Sequence, residues 1–143
     1  MTVFVDASAL TAIIVREPDF ESLVDILEAD EDRLCSATSL WETVAGLVHS
    51  YAFPMDVARE RARIFRTTLG LRLVHIGEIE FDLAVEAYAR FGKGRHPAAL
   101  NMGDCHAYAC ARAHSAALLF KGDDFSKTDL ALCSSALEAK SAT

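Results

Sequence analysis

Four acidic positions in this 143-residue chain resist the usual reading of a carboxylate as a solvated surface group. Asp6 follows the strand-like run Thr2-Val3-Phe4-Val5 and precedes Ala7-Ser8-Ala9-Leu10, which looks like a helix start. A carboxylate at the end of a buried strand is costly to desolvate unless something cationic meets it. Glu42 lies among Leu40, Trp41, Val44 and Ala45, at the margin of an apolar helix face. Asp104 opens the alanine-rich segment MGDCHAYACARA, whose composition implies burial, and Asp123-Asp124 follow the apolar run from Ala116 to Phe120. Singly, each has a structural explanation, because an acid suits a helix N-terminus and an aspartate organises a turn. Gathered together they would repel one another and hold protons unless hard divalent cations neutralised them. An all-oxygen donor set suits Mg²⁺ or Mn²⁺. The remaining acids read more simply: Glu17, Asp19, Glu21, Asp25, Glu28, Asp30, Glu31 and Asp32 as solvated surface, and Asp56 as a helix cap.

The elements that must position these groups alternate. Ser8 to Val15 reads as a helix with Ser8 as its cap, and Pro18 separates it from an amphipathic helix over 19–28. Arg33-Leu34-Cys35-Ser36 is a strand, and Thr38 or Ser39 caps a helix carrying Leu40, Trp41, Val44, Leu47 and Val48 at helical spacing. After Pro54, a helix runs from Asp56 to Leu69 and closes at Gly70, followed by a strand over 71–76. Helices over 80–91 and 102–113 flank the loop GKGRHPAALN, and a buried strand over 116–120 precedes the aspartate pair. Strands alternating with helices imply an α/β fold with a mostly parallel central sheet, flanked by helices on both faces. Ligands of such sheets sit beyond the carboxyl ends of the strands, where Asp6 and Asp123 or Asp124 fall. The length suits one domain over 1–143, with 138–143 as a disordered tail.

Net charge is −7, which argues against a protein that grips nucleic acid by overall charge. The distribution is uneven: 59–96 holds eight basic residues against five acids. Arg59, Arg63 and Arg66 share a helix face, and Lys93, Arg95 and His96 share the glycine-bearing loop. No apolar run approaches the roughly 18 residues of a membrane span, and no basic flank precedes the first apolar stretch, so a cytoplasmic protein is expected. Cys35, Cys105, Cys110 and Cys133 form no CxxC pair and read as reduced core thiols. His106, Cys110 and His114 recur at i,i+4 spacing, a pattern that could ligate zinc. The stripe spans about two turns, too long for one ion to meet both ends, and supplies only three ligands. No GxGxxG follows the first strand, which disfavours a dinucleotide site.

The stretches VFVDASALTAII, SLWETVAGL, GKGRHPAALNMGDCHAYACARA and LLFKGDDFSKTDL resemble, in order and over nearly the whole chain, the PIN domain. They are most similar to VapC-type ribonuclease toxins of bacterial toxin–antitoxin pairs. The resemblance implies a single PIN-like domain and an acidic quartet on Asp6, Glu42, Asp104 and a fourth position, Asp123 or Asp124, with Asp123 favoured. It implies an endoribonuclease that uses Mg²⁺ or Mn²⁺, a bacterial cytoplasmic setting, a VapB-type antitoxin and pairing as a homodimer. On that reading Asp6 and Asp104 hold the principal ion, while Glu42 and Asp123 complete a second site or orient water. Ser8, if not a plain helix cap, and Asp124 are candidate supports of the carboxylates; Lys121, Lys93 and Arg95 are candidate RNA contacts, with solvated surface the alternative for the two loop residues. An RNA-processing nuclease without an antitoxin, or an inactive cation-binding interaction domain, are the alternatives.

Overall fold

The first strand, β1 (Thr2–Val5), has neighbours on both sides, and its side chains alternate between two cores. Val3 and Val5 face one cluster and Phe4 the other, all fully buried. The same alternation recurs in β2 (Asp32–Ser36), where Leu34 and Cys35 part, and in β4 (Ala117–Leu119), where Leu118 and Leu119 part. With β3 (Arg72–Val74) and β5 (Leu132–Cys133) these form a five-stranded sheet in the order β3-β2-β1-β4-β5. Every pairing is parallel. The computed structural model describes residues 1–122, 125–130 and 132–133. Asp123, Asp124 and the 138–143 tail lie outside the described residues.

Parallel strands need crossovers, and six helices among the described residues supply those that lead from β1 to β4. On one face lie α1 (Ala7–Val15), α2 (Phe20–Ala29), α3 (Ala37–Tyr51) and α4 (Met55–Thr68), whose apolar sides meet Val3, Val5, Cys35 and Leu119. On the other, α5 (Glu78–Phe91) and α6 (Met102–Ala113) pack on Phe4, Leu34 and Leu118. A parallel sheet covered on both faces follows from those unbroken apolar strands. Beyond β4, Asp129 ties the chain back: it accepts from Tyr108 Oη at 2.7 Å and from Arg90 at 3.0 Å.

Local caps depart from the sequence expectation in three places. Asp6, not Ser8, caps α1, because the strand ends one residue before the helix begins. Ser36, the last residue of β2, caps α3 in a reciprocal pair with Ser39, displacing Thr38. At α4 the capping position falls on Pro54 with no side-chain bond, and Asp56 Oδ1 accepts only from Val57 N. Gly70 closes α4 as expected, at φ +64°. Trp41 is 68% exposed, whereas Ser39, Thr43 and Leu47 make the buried face of α3. The face toward the core is polar at its start because Thr43 Oγ1 donates to the Ser39 carbonyl and needs no water.

Phe4 anchors the α5/α6 face of the central strand. Replacing it by Ala is expected to cost about 3–5 kcal/mol in denaturant unfolding, against about 0.5 or less for Met55→Ala on the surface.

Candidate functional site

Asp6 stands where β1 becomes α1, Glu42 in the second turn of α3, and Asp104 in the first turn of α6. All three line one cavity of about 430 Å³. It opens past the carboxyl ends of β1 and β4, where a parallel sheet places its ligands.

Each carboxylate is set by its own element. Asp6 is only 5% exposed; its N–H donates to Leu119 O at 2.9 Å, continuing the ladder to β4. Its Oδ2 accepts from Ser8 N at 3.0 Å and Ser8 Oγ at 2.5 Å, so the expected support by Ser8 is present. Asp104 and Asn101 form a capping box: Asp104 Oδ2 accepts from Asn101 N at 3.0 Å, and Asn101 Oδ1 accepts from Asp104 N at 2.9 Å. Both acids therefore sit at helix N-termini, where negative charge is favoured. Glu42 has no such terminus. Its carboxyl lies against the Cα of Gly103, and any Cβ there would overlap it. Glycine is required at 103 for this close approach.

Burial pushes the Glu42 carboxyl up to about 7, and the negative charges of Asp6 and then Asp104 add to the effect. The cavity thus carries more negative charge than its solvation supports. Among the described residues, no group of three or more His, Cys, Asp or Glu is arranged to hold a metal ion as it stands. Oxygens of Asp6 and Asp104 are bonded instead to the N-termini of their own helices. The donor chemistry fits a hard divalent cation: the described residues lining the cavity offer carboxylate oxygens and no His or Cys, and the repulsion among the acids is the quantity a 2+ charge relieves. The fourth expected acid, Asp123 or Asp124, lies outside the described residues.

Lys121 and Ser8 line the same cavity, with Lys121 N donating to Ser8 Oγ at 3.0 Å. Glu17, read from sequence as solvated surface, also lines it. It accepts from Lys121 Nζ and, at 2.6 Å, from Tyr51 Oη, and these bonds hold its carboxyl below the ordinary range. No sequence signal marks it except its place just after α1. Lys93 and Arg95 lie outside this cavity, and the Arg95 guanidinium stacks 5.0 Å from the Tyr88 ring centroid. Arg59, Arg63 and Arg66 line a separate groove of about 430 Å³ with Leu40, Trp41 and Met55.

Two members of the His106–Cys110–His114 stripe have structural surroundings. His106 Nδ1 donates to Met102 O at 2.8 Å, and burial pushes the Cys110 thiol up to about 12. Cys35 and Cys105 are likewise buried free thiols, each pushed up to about 11.

A parallel α/β domain with an acid-lined cavity at its strand ends defines a class. The PIN domain family model matches residues 3–130. The chain is similar to ribonuclease VapC30 of Mycobacterium tuberculosis, 42% identical over 128 residues, covering 89% of this chain and 95% of the relative. VapC ribonuclease R02377 of Rhizobium meliloti is 40% identical over 139 residues, covering 89% and 98%. The fold is similar to that of VapBC2 from Rickettsia felis bound to a promoter DNA fragment, with TM-score 0.70 and 16% identity over 92% of this chain and 97% of that one. This chain belongs to the PIN domain family, in its VapC group.

The raised Glu42 carboxyl makes metal-free stability depend on pH. The folded state keeps a proton that the unfolded chain releases, so stability falls as pH rises from about 4.5 to about 7. In chelator, the drop in Tm between about pH 5 and about pH 8 should be larger for wild type than for Glu42→Gln. Equal drops would contradict the crowding of charge described above.

Proposed function

We propose that the protein is an endoribonuclease dependent on Mg²⁺ or Mn²⁺, acting in the bacterial cytoplasm as the toxin of a VapBC-type pair. The observation that carries this reading is that Asp6, Glu42 and Asp104, from three separate elements, line one cavity. Relatives over nearly the whole chain are named as ribonucleases, which supports RNA as the substrate.

Asp6 and Asp104 are the residues that would hold the principal ion, with Glu42 and Asp123 completing a second site or orienting water. A bound divalent ion supplies phosphate neutralisation and an activated water, the needs of phosphodiester hydrolysis. The chain contributes orientation. Ser8 Oγ–H holds one oxygen of Asp6, Asn101 N–H holds one of Asp104, and Gly103 leaves room for the Glu42 carboxyl. Attack of water on the phosphorus, with departure of the 3′-oxygen, leaves 5′-phosphate and 3′-hydroxyl ends.

The proposed partners are a VapB-type antitoxin and a second copy of this chain. The groove lined by exposed Trp41 and Met55 beside Arg59, Arg63 and Arg66 suits an amphipathic segment with acidic residues. Exposed Phe81, Val85, Tyr88 and Met102 on α5 and α6 supply an apolar face for pairing.

Cleavage of total RNA, with ends mapped, tests the reading. Asp6→Asn and Asp104→Asn should fold and lose at least about a hundredfold in rate, and chelator should abolish wild-type cleavage. Folded variants that cut at the wild-type rate would overturn it.

A further inference from the structure

The acid-lined cavity continues as a groove along α1. Lys121 is the one basic side chain among the described residues that line it. Its backbone is fixed level with Ser8 by the N–H bond to Ser8 Oγ at 3.0 Å. Its ammonium, however, is not turned toward Asp6. It reaches Glu17, whose own backbone N–H donates to Ala12 O at 2.9 Å. Glu17 lies just past the last turn of α1, so the ammonium is drawn toward that end of the helix rather than toward the Asp6 end.

Glu17 is itself held from two sides. Arg16 takes a left-handed conformation at φ 56°, turning the chain back across the last turn of α1. Tyr51, the final residue of α3, donates to Glu17 Oε1 at 2.6 Å. The α3 helix that carries Glu42 thus also braces the carboxylate that places the lysine. The Lys121 and Glu17 side chains are 32% and 26% exposed, so the pair is half-buried yet open to the groove.

We infer that Lys121 forms a phosphate subsite for the RNA strand one step along α1 from the acids, and that Glu17 is its positioning residue. This rests on the ribonuclease reading and deepens it. An ammonium beside the carboxylates would have to meet the scissile group. An ammonium a turn away meets a flanking phosphate, whose charge is the same before and during reaction. Such an interaction binds ground state and transition state alike, so removing it raises KM and leaves kcat nearly unchanged. Taking away one cation that neutralises a phosphate also reduces the salt slope of single-strand binding by about 0.7.

The test measures binding and cleavage separately. Anisotropy of a fluorescein-labelled single-stranded oligoribonucleotide, with Ca²⁺ in place of Mg²⁺, gives Kd against salt; steady-state cleavage with Mg²⁺ or Mn²⁺ gives kcat and KM. Lys121→Met should raise Kd and KM about tenfold, lower the salt slope by about 0.7 and change kcat less than about threefold, while Lys121→Arg recovers most of the loss. Glu17→Ala should raise KM about threefold alone and add nothing in the Lys121→Met background, as expected for groups acting as a unit. An unchanged Kd and salt slope in a folded Lys121→Met protein that still cleaves would overturn the subsite and leave the nuclease reading intact. So would a kcat loss as large as the loss in kcat/KM, or a Glu17→Ala effect of full size without the lysine. Salt-dependent binding that weakens in Lys121→Met, with no cleavage by wild type under either metal, would leave the subsite standing and remove the nuclease reading.

Discussion

Like charges held together in a partly dry cavity are the constraint around which this molecule is arranged. Three carboxylates from β1, α3 and α6 face one space, and the one in the middle of its helix, Glu42, is pushed up to about 7. Burying such groups opposes folding, so the scaffold must offset the cost. It does so first with two cores on opposite faces of a parallel sheet, to which Val3, Phe4, Val5, Leu34, Cys35, Leu118 and Leu119 of the central strands contribute fully buried side chains.

The second offset is local. Asp6 caps the N-terminus of α1 and Asp104 lies in the first turn of α6, where unpaired backbone N–H groups and the helix dipole favour an anion. Their hydrogen bonds to Ser8 and Asn101 orient them as well as stabilise them. A residue that could be dismissed as a cap is thus a cap and a candidate ligand together, and the two roles reinforce each other. Glu42 depends on space instead, which Gly103 provides by having no side chain. The Glu17–Lys121–Tyr51 set extends the same economy: a cation is kept at the groove without being allowed to collapse onto the acids.

Much of the fold was legible because its signals are periodic. The apolar strand runs, the helices broken at Pro18 and Pro54, and the stop at Gly70 all follow from local chemistry, and the elements from β1 to β4 begin and end within about two residues of that reading, whereas the short β5 was not anticipated. The exposed Trp41 was not legible: helical spacing places it beside apolar neighbours, but which stripe faces the sheet depends on what packs there. The caps of α1 and α3 shifted because Asp6 and Ser36 lie at the carboxyl ends of strands that lead straight into helices. Glu17 was missed because its partners are 34 and 104 residues distant.

The sequence alone determined the residue types of the site and the order of the elements that bear them, since strand and helix periodicities are properties of neighbouring residues. Tertiary structure decided which acids meet, which proton is retained and where Lys121 points. Those outcomes depend on the parallel register of β1 with β4 and on the close approach of α3 to α6, distances that no local stretch of chain encodes.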